Sequence, residues 1–113
     1  MKNIKYYLTL LLLIILSNYG ISQCGPVNLN IAPQAVGVCE GETDTISFSA
    51  TGTCAGNYEF QVENSLNVAV QPWSANNEFI VTPNASELYN VFARCTACPA
   101  NVISDTLLIE VVP

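Results

Sequence analysis

No histidine occurs anywhere in this 113-residue chain. That absence removes the usual general base, the commonest metal ligand and every Ser-His or Cys-His catalytic pairing. Cations are almost as scarce, with Lys2, Lys5 and Arg94 standing against nine acids. A chain so poor in positive charge repels nucleic acid and anionic lipid surfaces. A two-carboxylate mechanism needs only Asp and Glu, but such sites sit in clefts larger than a domain of this size builds. Past residue 23 there is no long apolar run and no sustained helical periodicity. The sequence therefore predicts no enzyme, no cofactor, no metal site, no nucleic-acid partner and no membrane span.

What is present begins with a leader. Lys2 and Lys5 precede an apolar run over residues 8–16, followed by Gly20, Ile21 and Ser22. This is the pattern of a secretory signal, and its apolar core is roughly half the ~20 residues that a spanning helix needs. Cleavage after Ser22 assigns 1–22 to a signal peptide and 23–113 to one mature domain. The competing route cuts after Gln23 and attaches lipid to Cys24, but lipoprotein processing wants a small residue directly before the cysteine. The mature chain keeps one cation, Arg94, and all nine acids, a side-chain charge of −8. Export places it in a secreted or cell-surface location, where its cysteines can oxidise.

The remaining sequence consists of short alternating runs broken by Gly, Pro, Asn and Ser. Strands are predicted over 27–32, 43–50, 58–63, 66–70, 78–82, 88–94 and 105–112. Ile46, Phe48 and Ala50 alternate with Thr45, Ser47 and Ser49, and Tyr58, Phe60 and Val62 alternate with Glu59, Gln61 and Glu63. Each such strand buries one face and wets the other. Pro33 ends the first strand, and Pro72 and Trp73 break the pattern after the fourth. Seven short strands in so few residues predict an all-β, seven-stranded Ig-like sandwich rather than a closed barrel.

Val38-Cys39-Glu40-Gly41-Glu42-Thr43, running into the strand that ends before Thr51-Gly52, resembles the start of Ig-like and PKD-like modules in secreted surface proteins of Bacteroidetes. Ile80-Val81-Thr82-Pro83, followed by Leu88-Tyr89-Asn90-Val91-Phe92-Ala93, is similar to the stretch that leads into their penultimate strand. The resemblance covers roughly residues 32–112. It implies a spacer, adhesive or carbohydrate-contacting module of the kind carried by gliding-associated adhesins and type IX secretion cargo. The chain departs from that pattern in placing Phe60 where a Trp is common and in showing no C-terminal sorting domain.

Five cysteines follow the leader: Cys24, Cys39, Cys54, Cys95 and Cys98. In the predicted topology the loop holding Cys54 and the loop holding Cys95 and Cys98 share one end, so Cys54 is expected to bridge to one of those two. Cys24 falls near them, whereas Cys39 lies at the opposite end without an evident partner. Cys95-Thr96-Ala97-Cys98 also matches the redox C-x-x-C spacing, but no βαβ context surrounds it. Structural bridging is the reading, and zinc is disfavoured by the lack of a second pair.

Trp73 carries two readings, a core residue or an exposed stacking platform for a sugar. Tyr58, Tyr89 and Phe92 read as packing residues, Tyr89 also as a hydrogen-bonding corner tyrosine. Glu40, Glu42 and Asp44 read as a charged edge that discourages aggregation, since no calcium-loop motif accompanies them. Asp44-Thr45-Ile46 and Asp105-Thr106-Leu107 match the O-glycosylation pattern that the Bacteroidetes resemblance brings with it. The expected function is a non-catalytic secreted or surface module, adhesive, binding or spacing, whose partner is an extracellular protein or glycan and whose contacts come from loops at the Cys54 end. The alternative is a structural fragment of a larger exported protein or a lipid-anchored envelope protein.

Intact mass of the exported chain under non-reducing conditions tests the leader directly. The expected product begins at Gln23 and carries no lipid; a diacylglycerol adduct on Cys24 would reverse the processing assignment. The same spectrum, if it shows an unmodified polypeptide mass, removes O-glycosylation at Thr45 and Thr106.

Overall fold

The computed structural model describes residues 24–112, which are all-β. The predicted leader lies outside the described residues, as does the side chain of Cys24. The strands are β1 (Cys24–Ala32), β2 (Ala35–Cys39), β3 (Asp44–Cys54), β4 (Tyr58–Glu63), β5 (Ala69–Ser74), β6 (Glu78–Val81), β7 (Glu87–Cys95) and β8 (Cys98–Val112). They form a three-stranded sheet, β1-β3-β6, and a five-stranded sheet, β2-β8-β7-β4-β5. Among the described residues no helix is long and apolar enough to cross a membrane.

Eight strands stand where the sequence predicts seven, because the first expected strand continues beyond Pro33. Pro33 has no N–H to donate, so pairing with β3 stops at Ala32, and the Ala32-Pro33 peptide is cis. The chain crosses to the other sheet, where Gln34 accepts a hydrogen bond from the Leu108 N–H at 3.0 Å and β2 runs parallel to β8. Ala35-Val36-Gly37-Val38-Cys39 hides this strand from a pattern search, since glycine and alanine blur its alternation.

Two further boundaries moved. The expected strand over 66–70 is instead a turn over 64–68 followed by β5, and Pro72 and Trp73 lie inside β5 rather than breaking it. This is permitted because β5 is a sheet edge, where a missing N–H costs no ladder bond. The last strand begins at Cys98 rather than Asp105. Its first half has weak apolar alternation and is held as strand by β7, with Arg94 opposite Val102 and Phe92 opposite Ser104.

The core lies between the sheets. Ile46 and Phe48 from β3, Phe60 and Val62 from β4, Val91 and Ala93 from β7, and Leu107 and Ile109 from β8 are buried, joined by Phe79 and Tyr89. The alternation read from β3 and β4 holds in full. Phe48 and Phe60 meet across the sheets at 5.8 Å between centroids, and Phe79 packs edge-on against Tyr89 at 5.2 Å. No buried polar or charged side chain occurs among the described residues. Dispersion and apolar burial therefore hold the interior together, with no polar network to orient it.

The antiparallel pairings give the sandwich two distinct ends. β3 and β7 finish together at Cys54 and Cys95, while β4 finishes and β7 starts at Glu63 and Glu87. At the disulfide end β1 presses against β3 through a bulge between Cys24 and Val27. Gly52 has φ +136° there, and a Cβ on it would run into the Pro26 carbonyl oxygen. At the opposite end lie Glu40, Glu42, Asp44, Glu63, Glu87 and Glu110, six of the nine acids.

Leu107 is fully buried, so Leu107→Ala is expected to cost about 2–5 kcal/mol. Val112→Thr at a half-exposed strand end is expected to stay within about 0.5 kcal/mol. Urea unfolding followed by Trp73 fluorescence checks both.

Candidate functional site

β5 is the strand that builds the site. Phe60 pairs with Ser74 and Val62 with Gln71, so Gln61 alone faces both Pro72 and Trp73. This bulge lets Gln71 and Ser74 both keep register with core-facing residues of β4 while Trp73 is turned to the outer face. Gln71 confirms its own direction, since its Nε2 donates to the Glu78 carbonyl of the other sheet at 3.1 Å. Trp73 is half-buried and stands outside the core cluster. Of the two sequence readings, core packing is thereby overturned, because the extra residue reverses which side of the strand the indole occupies.

Neighbouring strands deliver its companions. On β7, Tyr89, Val91, Ala93 and Cys95 point inward, so Asn90, Phe92 and Arg94 point outward. Phe92, read from the sequence as a packing residue, packs on the outer face, with its ring 6.5 Å from that of Trp73. The Arg94 guanidinium sits 4.1 Å from the Trp73 ring centroid, covering one face of the indole. Glu59 is the register partner of Arg94 across β4 and β7. Its Oε2 accepts from Arg94 Nε at 3.0 Å and lies 3.0 Å from Nη2. Both side chains are only about a quarter exposed, 26% and 27%. The stack contributes roughly 0.5–2 kcal/mol, and the screened ion pair at most about 1 kcal/mol. Their main effect is to fix the indole in one orientation. Ser104 and Thr106 continue the same face on β8 opposite Phe92 and Asn90.

The result is an outer sheet face bearing two aromatic rings and a rim of amide, hydroxyl, carboxylate and guanidinium groups. Sequence reasoning singled out Trp73 and noted Arg94 as the surviving cation, but missed their apposition and the part of Glu59 and Phe92. Neither the outward positions of β7 nor the bulge in β5 was read from the sequence pattern.

The cysteines settle around the disulfide end. Cys54 is bridged to Cys95, with Cα atoms 5.6 Å apart. Cys98 is also disulfide-bonded, and Cys39 is an exposed free thiol at the far end of β2. Cys95 and Cys98 are thus not a redox pair with each other. The loops at this end are small and tied: Thr96 N–H donates to the Asn57 carbonyl at 2.8 Å, and Asn57 N–H to Thr96 Oγ1 at 3.1 Å. Their residues 55–57 and 96–97 are exposed and carry no aromatic or charged side chain, whereas the outer sheet face carries both. Thr45 and Thr106 are exposed, and each donates its N–H to the preceding aspartate at 2.8 Å.

The acidic end carries an unusually well-tied turn. Asn64 Oδ1 accepts from the N–H groups of Leu66 and Val68, both at 3.0 Å, while Asn64 N–H donates to the Val68 carbonyl at 2.9 Å. Asn67 adopts φ +60°, a left-handed conformation that asparagine tolerates well. Glu87 anchors the turn from β7, its Oε1 accepting from Ser65 N–H at 3.2 Å and Ser65 Oγ–H at 2.9 Å. These bonds hold the Glu87 carboxyl below the ordinary glutamate range, the Ser65 backbone donor contributing most. Burial, then the Glu87 charge, pushes the Tyr89 hydroxyl up, and a hydrogen bond joins the two side chains. Comparison with family models, curated proteins and solved structures finds no match to this chain.

The Glu87 carboxylate gives a pH dependence of defined sign. Its folded value lies below the ordinary 4.5, so its contribution is present above that value and is lost as pH falls through the folded one. Urea midpoints of the wild type and Glu87→Gln are expected to differ at neutral pH and to converge as pH falls through the folded value of Glu87. A gap that persists undiminished in acid would contradict the assignment.

Proposed function

We propose that this chain is a non-catalytic, exported Ig-like module that contacts an extracellular glycan through the outer face of its five-stranded sheet. The observation that carries the reading is the placement of Trp73 outside the core, held by Arg94 and Glu59 beside Phe92. Aromatic rings match the apolar C–H faces of a sugar, while the surrounding polar groups match its hydroxyls. An open sheet face suits an extended polysaccharide better than a small enclosed ligand. With one face of the indole covered by the guanidinium, the sugar stacks on the other. The net acidity of the domain disfavours a polyanionic ligand and leaves a neutral glycan as the matching class. The resemblance to Bacteroidetes surface modules supports the same reading.

A spacer role has its own support. β1 begins at the disulfide end and β8, fifteen residues long, finishes at the acidic end. A polypeptide that enters one end of a rigid sandwich and leaves by the other extends a chain of modules along its axis. The two roles coexist in one module, since spacing uses the ends and binding uses the face.

The test is a screen of the exported chain against neutral and acidic polysaccharides, followed by titration through the fluorescence of Trp73, the chain's only tryptophan. Binding to a neutral glycan is expected, weakened about tenfold or more in Trp73→Ala. Arg94→Ala should also shift the emission of the free protein, because water replaces the guanidinium over the ring. Absence of binding to every glycan, or undiminished binding by Trp73→Ala, would sink the proposal.

A further inference from the structure

Four cysteine positions converge at the end of the sandwich where β3 and β7 finish. In the three-stranded sheet Cys24 is the register partner of Cys54, and in the five-stranded sheet Cys98 is the register partner of Cys95 across the turn between β7 and β8. Directly opposed residues of antiparallel strands have Cα atoms about 4.5–5.5 Å apart. The Cys54–Cys95 bridge spans the sheets with 5.6 Å between its Cα atoms. Three sides of a quadrilateral are therefore within the separation that a disulfide bridges, about 4.4–6.8 Å, and Cys24 to Cys98 is the fourth side.

Cys98 is disulfide-bonded and only 7% exposed, so its bond lies inside the molecule and not on a neighbouring one. Cys54 and Cys95 are bonded to each other, and Cys39 is a free thiol at the far end of β2. Cys24 is the cysteine left. The surroundings of β8 give such a bond a purpose. β1 and β8 belong to different sheets and share no ladder of hydrogen bonds, and β2 reaches β8 only from Leu108 onward. Between β1 and the uncovered half of β8 lies a gap of about 540 Å³, bounded by Gly25 to Val27 on one side and Ala100 to Ile103 on the other. Cys24 and Cys98 precede these two lining segments along the chain, so a bond between them closes the gap at its disulfide end.

We infer that Cys24 and Cys98 form a second bridge between the sheets, and that this bridge makes the domain inextensible under tension applied between its two ends. The inference deepens the spacer reading and rests on it for its use only, since the bond and its mechanical effect are properties of one domain. Forming the bridge removes two electrons and two protons from the two thiols and passes them to a disulfide-bearing oxidant, which leaves as two thiols. Tension entering at Cys24 then crosses to Cys98 and leaves along β8 to Val112, at the acidic end. Residues 25–97 lie inside a closed covalent loop and carry none of it. β8 is already extended, at about 3.3 Å per residue against at most about 3.6 Å when taut, so it yields only a few ångströms. Without the bridge, tension peels β1 from β3 and releases the chain from Cys24 to Cys54, on the order of 100 Å at about 3.5 Å per residue. The bridge also occupies the sulfur that a lipid would need, because a thioether and a disulfide exclude each other on one sulfur.

Thiol counting on the exported chain, unfolded in guanidinium without reductant, reads the bridge. A single reactive thiol, Cys39, is expected in the wild type and none in Cys39→Ser, whereas Cys24→Ser is expected to expose Cys98 as a second. Digestion of Cys54→Ala/Cys95→Ala without reductant is expected to leave the peptide of Cys24 joined to that of Cys98 until dithiothreitol is added. Optical-tweezer extension, with handles ligated enzymatically to the two ends, reads the mechanical effect. The wild type is expected to show no unfolding step beyond a few ångströms, while Cys24→Ser lengthens by on the order of 100 Å. If Cys24→Ser does not fold, the wild-type thiol count and the wild-type extension before and after dithiothreitol decide the matter. Three thiols in the wild type, a lipid adduct on Cys24, or a step of on the order of 100 Å in the unreduced wild type overturns the inference.

Discussion

The Cys54–Cys95 bridge joins β3, the centre of one sheet, to β7 in the other, and the geometry of the whole disulfide end hangs on it. A domain of this size buries only about two-thirds of its unfolded surface, so a covalent link between sheets matters more than it would in a larger protein. With its cysteines 41 positions apart in sequence, the loop-closure model assigns the bridge about 4 kcal/mol. That is a large part of the stability a small domain possesses. The bridge also fixes where β4 starts relative to β7, because the short 55–57 connection leads directly from Cys54 into Tyr58. The Glu59 and Arg94 pairing is then a consequence of register rather than a separate feature.

From that register the outer face follows. Alternation on β7 sends Phe92 and Arg94 outward because Val91, Ala93 and Cys95 are buried. The bulge in β5 brings Trp73 to the same side. None of the three residues contributes to the core cluster, so their conformation rests on one another and on Glu59. A surface that retains two aromatic rings without needing them for folding is the basis for reading it as a contact face.

The two ends differ as strongly as the two faces. One is closed by a disulfide and short tied loops; the other gathers most of the negative charge and displays an apolar turn apex. The exposed free thiol of Cys39 lies at that acidic end, remote from the bridged cysteines.

The sequence by itself determined the strand class and the inner faces of β3 and β4, because a period of two with one apolar side has a single stable solution against a core. It also determined that Cys54 shares an end with Cys95 and Cys98, and that Cys39 does not, since antiparallel succession assigns every turn to one end or the other. Only the tertiary structure decided the rest. The switch of the first strand between sheets depends on which sheet offers an open edge after Pro33, and the outward turn of Trp73 depends on a bulge whose signature is not local. The choice of Cys95 over Cys98 depends on distances of a few ångströms across the sandwich. Periodicity reports which side of an element is wet; it carries no information about register between strands, and register is what brought Trp73, Arg94 and Glu59 together.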